Sequence, residues 1–232
     1  MAGMTAEVLD RPFWEALTGP QSSWARREGR AACYDPDAAP FAALADVSTE
    51  AWADLATLLG EDGAAALFFP SAPEVPPVLD VVNTFDVTQM VLRGLSPAPD
   101  VEAAALGPDD TADMLELVRL ARPGPFRART VELGGFLGVR GEDGRLLAMA
   151  GERARPRGFS EVSGVCVHPD ARGRGLAAAL VTGVARAVLA RSETPFLHVN
   201  PDNHAARSLY RRLGFEDRAT LRGVVVRRAQ PV

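Results

Sequence analysis

A short stretch that joins a β-branched run to a helix restricts the fold of this chain more than any other part of the sequence. Residues 165–177 read Val-Cys-Val-His-Pro-Asp-Ala-Arg-Gly-Arg-Gly-Leu-Ala. At a helix start of this kind, unpaired N–H groups and the positive end of the helix dipole favour an anion. Arg172 and Arg174 add charge that can bind phosphate oxygens. The stretch predicts a phosphate-binding loop; the alternative is a tight turn whose glycines serve only helix packing.

Two common phosphate motifs are excluded by the residues around these glycines. No Gly-Lys-Ser/Thr sequence follows them, so the loop is not that of a nucleoside-triphosphate-binding P-loop protein. The glycine spacing also differs from that of the dinucleotide-binding fingerprint. The identity of the phosphate ligand therefore depends on the rest of the chain.

Composition narrows the class of protein. The 232 residues carry a net charge of −5, which argues against nucleic-acid binding because that function needs a basic surface. No apolar run is long enough to cross a bilayer, and residues 1–14 include acidic residues where a signal peptide needs an apolar core. We expect a cytoplasmic protein that binds no membrane. Cys33 and Cys166 are expected to be free thiols, and the three histidines show no metal-ligand spacing, so no metal site is expected.

Proline clusters indicate how the chain is divided. Residues 70–77 and 96–100 are rich in proline, which resists both helix and central strand, so both are predicted to be connections. The second cluster gives the predicted domain boundary: an N-terminal α/β domain over 1–99 and a second domain over 100–232. The first domain is expected to contain a capped helix over 48–59 and strands over 64–69 and 87–92. We also consider that it is a degenerate copy of the second domain.

The segment after residue 100 alternates strand and helix patterns. A helix over 111–120 is expected to bury Met114, Leu115, Leu117 and Val118, and a helix after the glycine loop carries Leu176, Leu180, Val184 and Val188 on one face. The acidic turn Glu142-Asp143-Gly144 predicts a hairpin. The expected strands are 101–106, 136–139, 146–151, 161–167 and 196–199, and a last helix is expected over 203–213. This alternation predicts an α/β (α+β) fold in which a mixed sheet has helices on both faces.

The order of these motifs resembles a known family. The Arg-Gly-Arg-Gly-Leu-Ala loop is followed by Asn200-Pro201-Asp202-Asn203 and then by Ser-Leu-Tyr-Arg-Arg-Leu-Gly-Phe at residues 208–215. Over residues 100–228 this order resembles the GNAT superfamily of acetyl-coenzyme-A-dependent N-acyltransferases, and within it the branch of glycine N-acyltransferase-like proteins. The resemblance implies a mixed, mostly antiparallel GNAT sheet flanked by helices.

The resemblance also assigns a coenzyme A site. It implies that amides of residues 173–177 hold the pyrophosphate, that backbone groups of residues 165–167 pair with the pantetheine arm, and that two asparagines lie near the thioester. The implied cofactor-binding residues are Val165, Cys166, Val167, Arg172, Gly173, Arg174, Gly175, Leu176, Ala177, Asn200 and Asn203.

Tyr210 matches the tyrosine of the family that protonates the departing thiolate. It lies seven residues after Asn203, so both side chains are expected on one helix face. The alternative is a tyrosine that serves only packing.

Glu161 is the candidate general base. It lies six residues before Val167 on the same predicted strand, so both point to one side of the sheet. Efficient proton removal near neutral pH requires that burial raise the pKa of Glu161. The alternative is a glutamate that is exposed or paired with Arg153. His198 is a weaker candidate for the base.

The acceptor wall of the family falls on residues 122–136. Thr130 and Glu132 are therefore possible amine-binding residues together with His198, and a solvated loop is the alternative.

These residues predict direct acetyl transfer from acetyl-CoA to a primary amine of a small molecule or amino acid. Two other functions remain open: a non-catalytic acyl-CoA-binding sensor, and an acetyltransferase that modifies protein lysines or N-termini. The expected partners are acyl-CoA and an amine acceptor, and the protein is expected to be a monomer or homodimer.

Overall fold

One large sheet organises the molecule. The computed structural model describes residues 7–230; the outermost residues of both predicted domains, 1–6 and 231–232, lie outside this range. Within this range the strands are β1 (Ala25–Glu28), β2 (Ala31–Tyr34), β3 (Ala42–Leu44), β4 (Ala64–Phe69), β5 (Leu79–Leu92), β6 (Ala104–Leu106), β7 (Phe136–Arg140), β8 (Leu146–Glu152), β9 (Phe159–Val167), β10 (Thr194–Val199) and β11 (Phe215–Arg228). Eight of them form the large sheet in the order β4-β11-β5-β10-β9-β8-β7-β6, and a separate three-stranded sheet has the order β1-β2-β3.

The helices lie mainly on the two faces of the large sheet. They are α1 (Pro12–Leu17), α2 (Thr49–Leu59), α3 (Thr111–Ala121), α4 (Leu176–Ala190) and α5 (His204–Arg212). Residues of β8 alternate between the faces: Ala148 and Ala150 pack in the cluster that includes α4, whereas Met149 packs with α3. The predicted mixed sheet, mostly antiparallel with helices on both faces, is confirmed.

β9 and β10 form the parallel pair of this otherwise antiparallel sheet. They pair only from Thr194 and Phe159 to Phe196 and Glu161. Beyond these residues β9 continues to Val167 and β10 to Val199, but the two strands no longer pair with each other. They therefore part in a V. β9 also has one more residue than β8 between the pairs Met149–Cys166 and Gly151–Ser163, which is a β-bulge. Gly164, inside the bulge, has φ +63°.

Strands from both predicted domains build the large sheet. β5 pairs with both β10 and β11, and β4 pairs with β11. α2 and the small sheet pack against β4 and β11 around Trp52 and Leu55. The division into domains at residue 99 and the idea of a degenerate N-terminal copy both stay predictions.

Several local predictions are confirmed by the structure. The Ser48 hydroxyl caps α2 by accepting a hydrogen bond from the Ala51 amide at 3.3 Å. The stripe on α4 is buried along its whole length. The expectation for Leu115 is wrong: this side chain is 37% exposed, because α3 presents Met114 and Leu117 to the sheet. β5 begins eight residues earlier than predicted, because pairing with β11 extends it.

Replacing Leu180 tests the packing of α4 on the sheet. Leu180 is 1% exposed in the main core, so Leu180→Ala removes buried apolar atoms and leaves a cavity. We expect a loss of about 3 kcal/mol in the free energy of unfolding, measured by urea denaturation. Leu189→Ala on the same helix is the control, because Leu189 is 44% exposed. Equal losses in the two variants would contradict the packing described above.

Candidate active site

Two adjoining spaces open where β9 and β10 part. The larger, here the Arg172 groove, has a volume of about 1380 Å³ and runs between the start of α4 and the loop and helix that follow β10. The smaller, here the Phe68 cavity, has a volume of about 380 Å³ and lies on the other side of the V. The two share seven lining residues: Pro123, Gly124, Val165, His198, Val199, Asn200 and Tyr210. The groove and the cavity are therefore connected through the parted strands.

The start of α4 has the backbone conformation on which the predicted phosphate-binding loop depends. Gly173 and Gly175 have φ values of +77° and +76°, a backbone conformation that glycine adopts without strain. A Cβ atom on Gly173 would have no heavy atom within 4 Å, so that glycine is explained by its conformation rather than by close packing. Gly175 is the N-cap of a 15-residue helix, whose first amides have no partner within the helix.

Positive charge surrounds this helix start. Arg172 and Arg174 are both exposed and line the groove. Among residues 7–230 neither guanidinium group has a carboxylate partner. Both are therefore available to an anion bound at the loop.

All eleven residues implied for coenzyme A binding line the Arg172 groove, including the buried Cys166 and Leu176. Residues 162–167 of β9 have no strand on the side that faces β10, which leaves an edge to which an extended ligand can bind by backbone hydrogen bonds. That these residues bind a cofactor stays a prediction.

Tyr210 lies at the junction of groove and cavity. Asn203 lines the groove as well, as the seven-residue spacing predicts, and its Oδ1 atom accepts a hydrogen bond from the Ala206 amide at the start of α5. Burial raises the pKa of Tyr210 to about 12, so its phenol keeps its proton at neutral pH. Within the described part of the chain, the hydroxyl makes no hydrogen bond. It is a proton donor without a protein acceptor.

Asn200 occupies the turn after β10. Its Oδ1 atom accepts a hydrogen bond from the Asp202 amide at 2.8 Å, which fixes the turn, and the residue lines both spaces.

Glu161 is buried in an ion pair. Arg153 donates to its two carboxylate oxygens at 3.0 and 2.6 Å, and the Arg153 guanidinium lies 4.5 Å from the centre of the Phe41 ring. The predicted alternative, that Glu161 pairs with Arg153, is confirmed. Glu161 lies among the lining residues of neither the groove nor the cavity.

The pKa of Glu161 moves in the direction opposite to that required of a base. Desolvation by burial raises it, but attraction to Arg153 and a hydrogen bond from His198 outweigh that effect and lower the pKa to about 2. A carboxylate held in this way is a weak proton acceptor at neutral pH. Its role as a general base stays a prediction, and its surroundings favour a positioning role.

His198 is held between Glu161 and Gln89. The Gln89 Oε1 atom accepts a hydrogen bond from Arg218 at 2.7 Å, so the Gln89 NH₂ group faces the Leu9 carbonyl and the His198 Nε2 atom, at 2.9 and 3.0 Å. Nε2 therefore accepts, and the Nδ1–H group donates to Glu161 at 2.9 Å. Both ring nitrogens are occupied, so neither is available to an incoming amine in this conformation.

Thr130 and Glu132 line neither space. The Thr130 hydroxyl donates to the Ala38 carbonyl at 2.6 Å, and Glu132 forms an ion pair with Arg129. Thr130 attaches the 122–136 segment to residue 38, whereas the Glu132 ion pair lies within that segment. Pro123, Gly124, Pro125 and Arg127 of the same segment do line the Phe68 cavity.

Sequence reasoning missed the residues that the N-terminal half contributes to the cavity. Phe41, Phe68, Phe85 and Val87 lie far from the glycine loop in sequence and belong to no motif. Their only sequence signal is an apolar pattern, which is shared with the ordinary core.

Within residues 7–230, no group of three His, Cys, Asp or Glu side chains is placed to hold a metal ion. None of the helices in that range has the length and hydrophobicity to cross a membrane. Cys33 and Cys166 are free and buried, and burial raises the pKa of the Cys166 thiol to about 12.

Comparisons with known proteins agree with this geometry. The family described as FR47-like protein matches residues 136–223. The structure of a protein from Novosphingobium aromaticivorans DSM 12444, assigned to the acetyltransferases of the GNAT family, is 39% identical, with a TM-score of 0.86 over 96% of this chain and 99% of that one. A search of curated proteins found no match.

Two more distant structures share the fold. A GCN5-related N-acetyltransferase from Kribbella flavida is 19% identical, with a TM-score of 0.64 over 93% of this chain and 94% of its own. A GNAT-family acetyltransferase from Colwellia psychrerythraea is 12% identical, with a TM-score of 0.53 over 84% of this chain and 80% of its own. The fold and the parted strands define an acyltransferase architecture. The chain belongs to the GNAT family and is an acetyltransferase of that family.

Replacing Glu161 tests the buried ion pair. Glu161→Gln leaves Arg153 buried without a counter-charge, so we expect a loss of about 3 kcal/mol in the free energy of unfolding at pH 7. The folded-state pKa is lowered, so the stabilisation is complete above the unfolded-state pKa, about 4.3, and is lost as the pH falls towards 2. The free energy of unfolding of wild type and variant is measured by urea denaturation at pH 7, 5 and 3.5. The difference between the two proteins should therefore be smaller at pH 3.5 than at pH 7 or 5.

Glu132→Gln is the matched control, because Glu132 pairs with Arg129 at the surface. Its effect should be much smaller and should depend on salt. A Glu161→Gln difference that stays constant from pH 7 to pH 3.5 would contradict the lowered pKa.

Proposed function

We propose that the protein is an N-acetyltransferase that moves the acetyl group of acetyl-CoA directly to a primary amine of a small molecule or amino acid. The observation that carries the proposal is the connection between the Arg172 groove and the Phe68 cavity at Tyr210. A donor in the groove and an acceptor in the cavity would meet there, which suits a direct transfer between two bound molecules.

The start of α4 would hold the diphosphate of coenzyme A. Its free amides, the helix dipole and the two unpaired arginines all favour a doubly charged anion. The pantetheine arm would then follow the unpaired edge of β9, with its amides bonded to backbone groups of residues 165–167. The thioester would then lie near Tyr210, where β9 and β10 are apart.

Tyr210 would act as the general acid. The amine nitrogen uses its lone pair to form a bond to the thioester carbonyl carbon, and the carbon–sulfur bond then breaks. The sulfur leaves with the electron pair of the broken carbon–sulfur bond and takes the proton of the Tyr210 hydroxyl, which has no acceptor among the described residues 7–230. The nitrogen loses one proton through water in the connected space, and this proton restores Tyr210. The products are an N-acetyl amide and free coenzyme A.

Glu161 and His198 would act as positioning residues for this site. Since Glu161 accepts from Arg153 and His198, we assign to it the positioning of β10 beside β9 rather than proton removal.

The presence of an acceptor-side cavity favours an enzyme over the sensor alternative, because a sensor needs no second space. Membership of the glycine N-acyltransferase-like branch, cytoplasmic location and a monomeric or homodimeric state stay predictions.

Removing the arginines tests the donor site. Arg172→Ala and Arg174→Ala should each weaken acetyl-CoA binding by about 10-fold, because a charge-assisted hydrogen bond to phosphate is lost. Isothermal titration of acetyl-CoA into each purified variant measures this. Arg228→Ala, at an exposed arginine at the end of β11, is the control and should bind as wild type does. Unchanged affinity in both loop variants would exclude the loop as the diphosphate site.

Removing the Tyr210 hydroxyl tests the chemistry. Tyr210→Phe keeps the buried ring against Phe215 and should lower kcat about 100-fold, with acetyl-CoA affinity nearly unchanged. Thiol release on mixing acetyl-CoA with a panel of amines measures the rate, and the thermal midpoint checks folding. Equal turnover in variant and wild type would remove Tyr210 from the mechanism.

A further inference from the structure

The Phe68 cavity has an apolar wall built by both halves of the chain. Three phenylalanines and several valines are among its lining residues, and Phe68 packs edge-on against Phe41 and Phe85 at 5.7 and 5.8 Å between ring centres. A volume of about 380 Å³ is at the small end of the range for ligand sites, which suits one ring-sized group. The apolar wall consists mainly of Phe41, Phe68, Phe85, Val87, Val162 and Val225.

The charged side chains that line the cavity are arginines. Among the described residues 7–230, no aspartate or glutamate lines it, whereas Arg127 and Arg153 do. Arg153 is neutralised by Glu161 and lies over the Phe41 ring. Arg127 is exposed, and within the described residues 7–230 its guanidinium group has no carboxylate partner.

This charge pattern selects against polycationic acceptors. An amine that carries further ammonium groups needs carboxylates to bind it, and none lines the cavity in the described part of the chain. A single amine that enters an apolar space next to uncompensated positive charge is also favoured in its neutral form, which is the form that attacks a carbonyl. The free guanidinium of Arg127 instead matches a carboxylate, which it can bind through two hydrogen bonds.

We propose that the acceptor is an apolar monoamine that carries a carboxylate, as an aromatic amino acid does. Its side chain occupies the Phe68 cavity, its carboxylate binds Arg127, and its amine points to the junction at Tyr210. This inference rests on the proposed function, since it names the acceptor of the same transfer. The transfer step itself is the one given above, with the amino acid nitrogen as the attacking atom.

The test compares four acceptors at a fixed acetyl-CoA concentration, with thiol release as the readout. L-phenylalanine has the ring, the amine and the carboxylate; phenethylamine lacks the carboxylate, glycine lacks the ring, and spermidine is a polycation. We expect kcat/KM to be highest for L-phenylalanine and at least about 10-fold lower for each of the other three.

Arg127→Gln tests the carboxylate contact. We expect it to lower the ratio of kcat/KM for L-phenylalanine to that for phenethylamine by about 10-fold, mainly through KM. Arg157→Gln is the matched control: this arginine is also exposed, lies outside both spaces and should leave the ratio as in wild type.

Two results would overturn the inference while the proposed function stands: spermidine, phenethylamine or glycine as good an acceptor as L-phenylalanine, or an unchanged ratio in Arg127→Gln. A protein that binds acetyl-CoA but releases no thiol with any amine would instead overturn the proposed function. A separate titration of acetyl-CoA distinguishes these cases.

Discussion

The parting of β9 and β10 is the feature on which the rest of the site depends. Parallel strands normally satisfy each other's backbone groups along their whole length, and groups left unpaired need other partners. Here the pairing ends at Glu161 and Phe196, and a bulge at Gly164 turns the β9 backbone beyond that point. The unpaired edge, the groove and the cavity all follow from this one interruption of the sheet.

The buried ion pair lies at the apex of the V. Glu161 is the last residue of β9 that pairs with β10, and its carboxylate contacts His198 of β10 and Arg153, the residue after β8. The hydrogen bonds continue through Gln89 on β5 to Arg218 on β11. A chain of hydrogen-bonded polar groups thus runs from the residue after β8 across four neighbouring strands, β9, β10, β5 and β11. Removing one member would leave the next buried and unpaired, which makes the network a strong constraint on where the strands part.

The two sides of the V have different origins and different electrostatics. The proposed donor side, the Arg172 groove, is lined mainly by residues within 165–178 and 198–213, and its helix start and two free arginines favour an anion. The proposed acceptor side, the Phe68 cavity, combines residues of β4 and β5 with the 122–136 segment, so under our proposal the N-terminal half of the chain helps to select the acceptor. A family fold with a fixed donor site can therefore change acceptor by changing the strands that cover the other side.

The sequence by itself determined the local features of this protein. The glycine spacing at 173 and 175, the cap at Ser48 and the four-residue stripe on α4 each act over a few residues, so their patterns fixed the loop, the helices and the GNAT resemblance. Tertiary structure alone decided that β5 lies between β10 and β11, that Glu161 carries a lowered pKa, and that Phe68 faces the site. These depend on contacts between residues far apart in sequence. The burial and the charge at such a contact depend on the distant segment that packs there. A local sequence pattern contains no information about that segment.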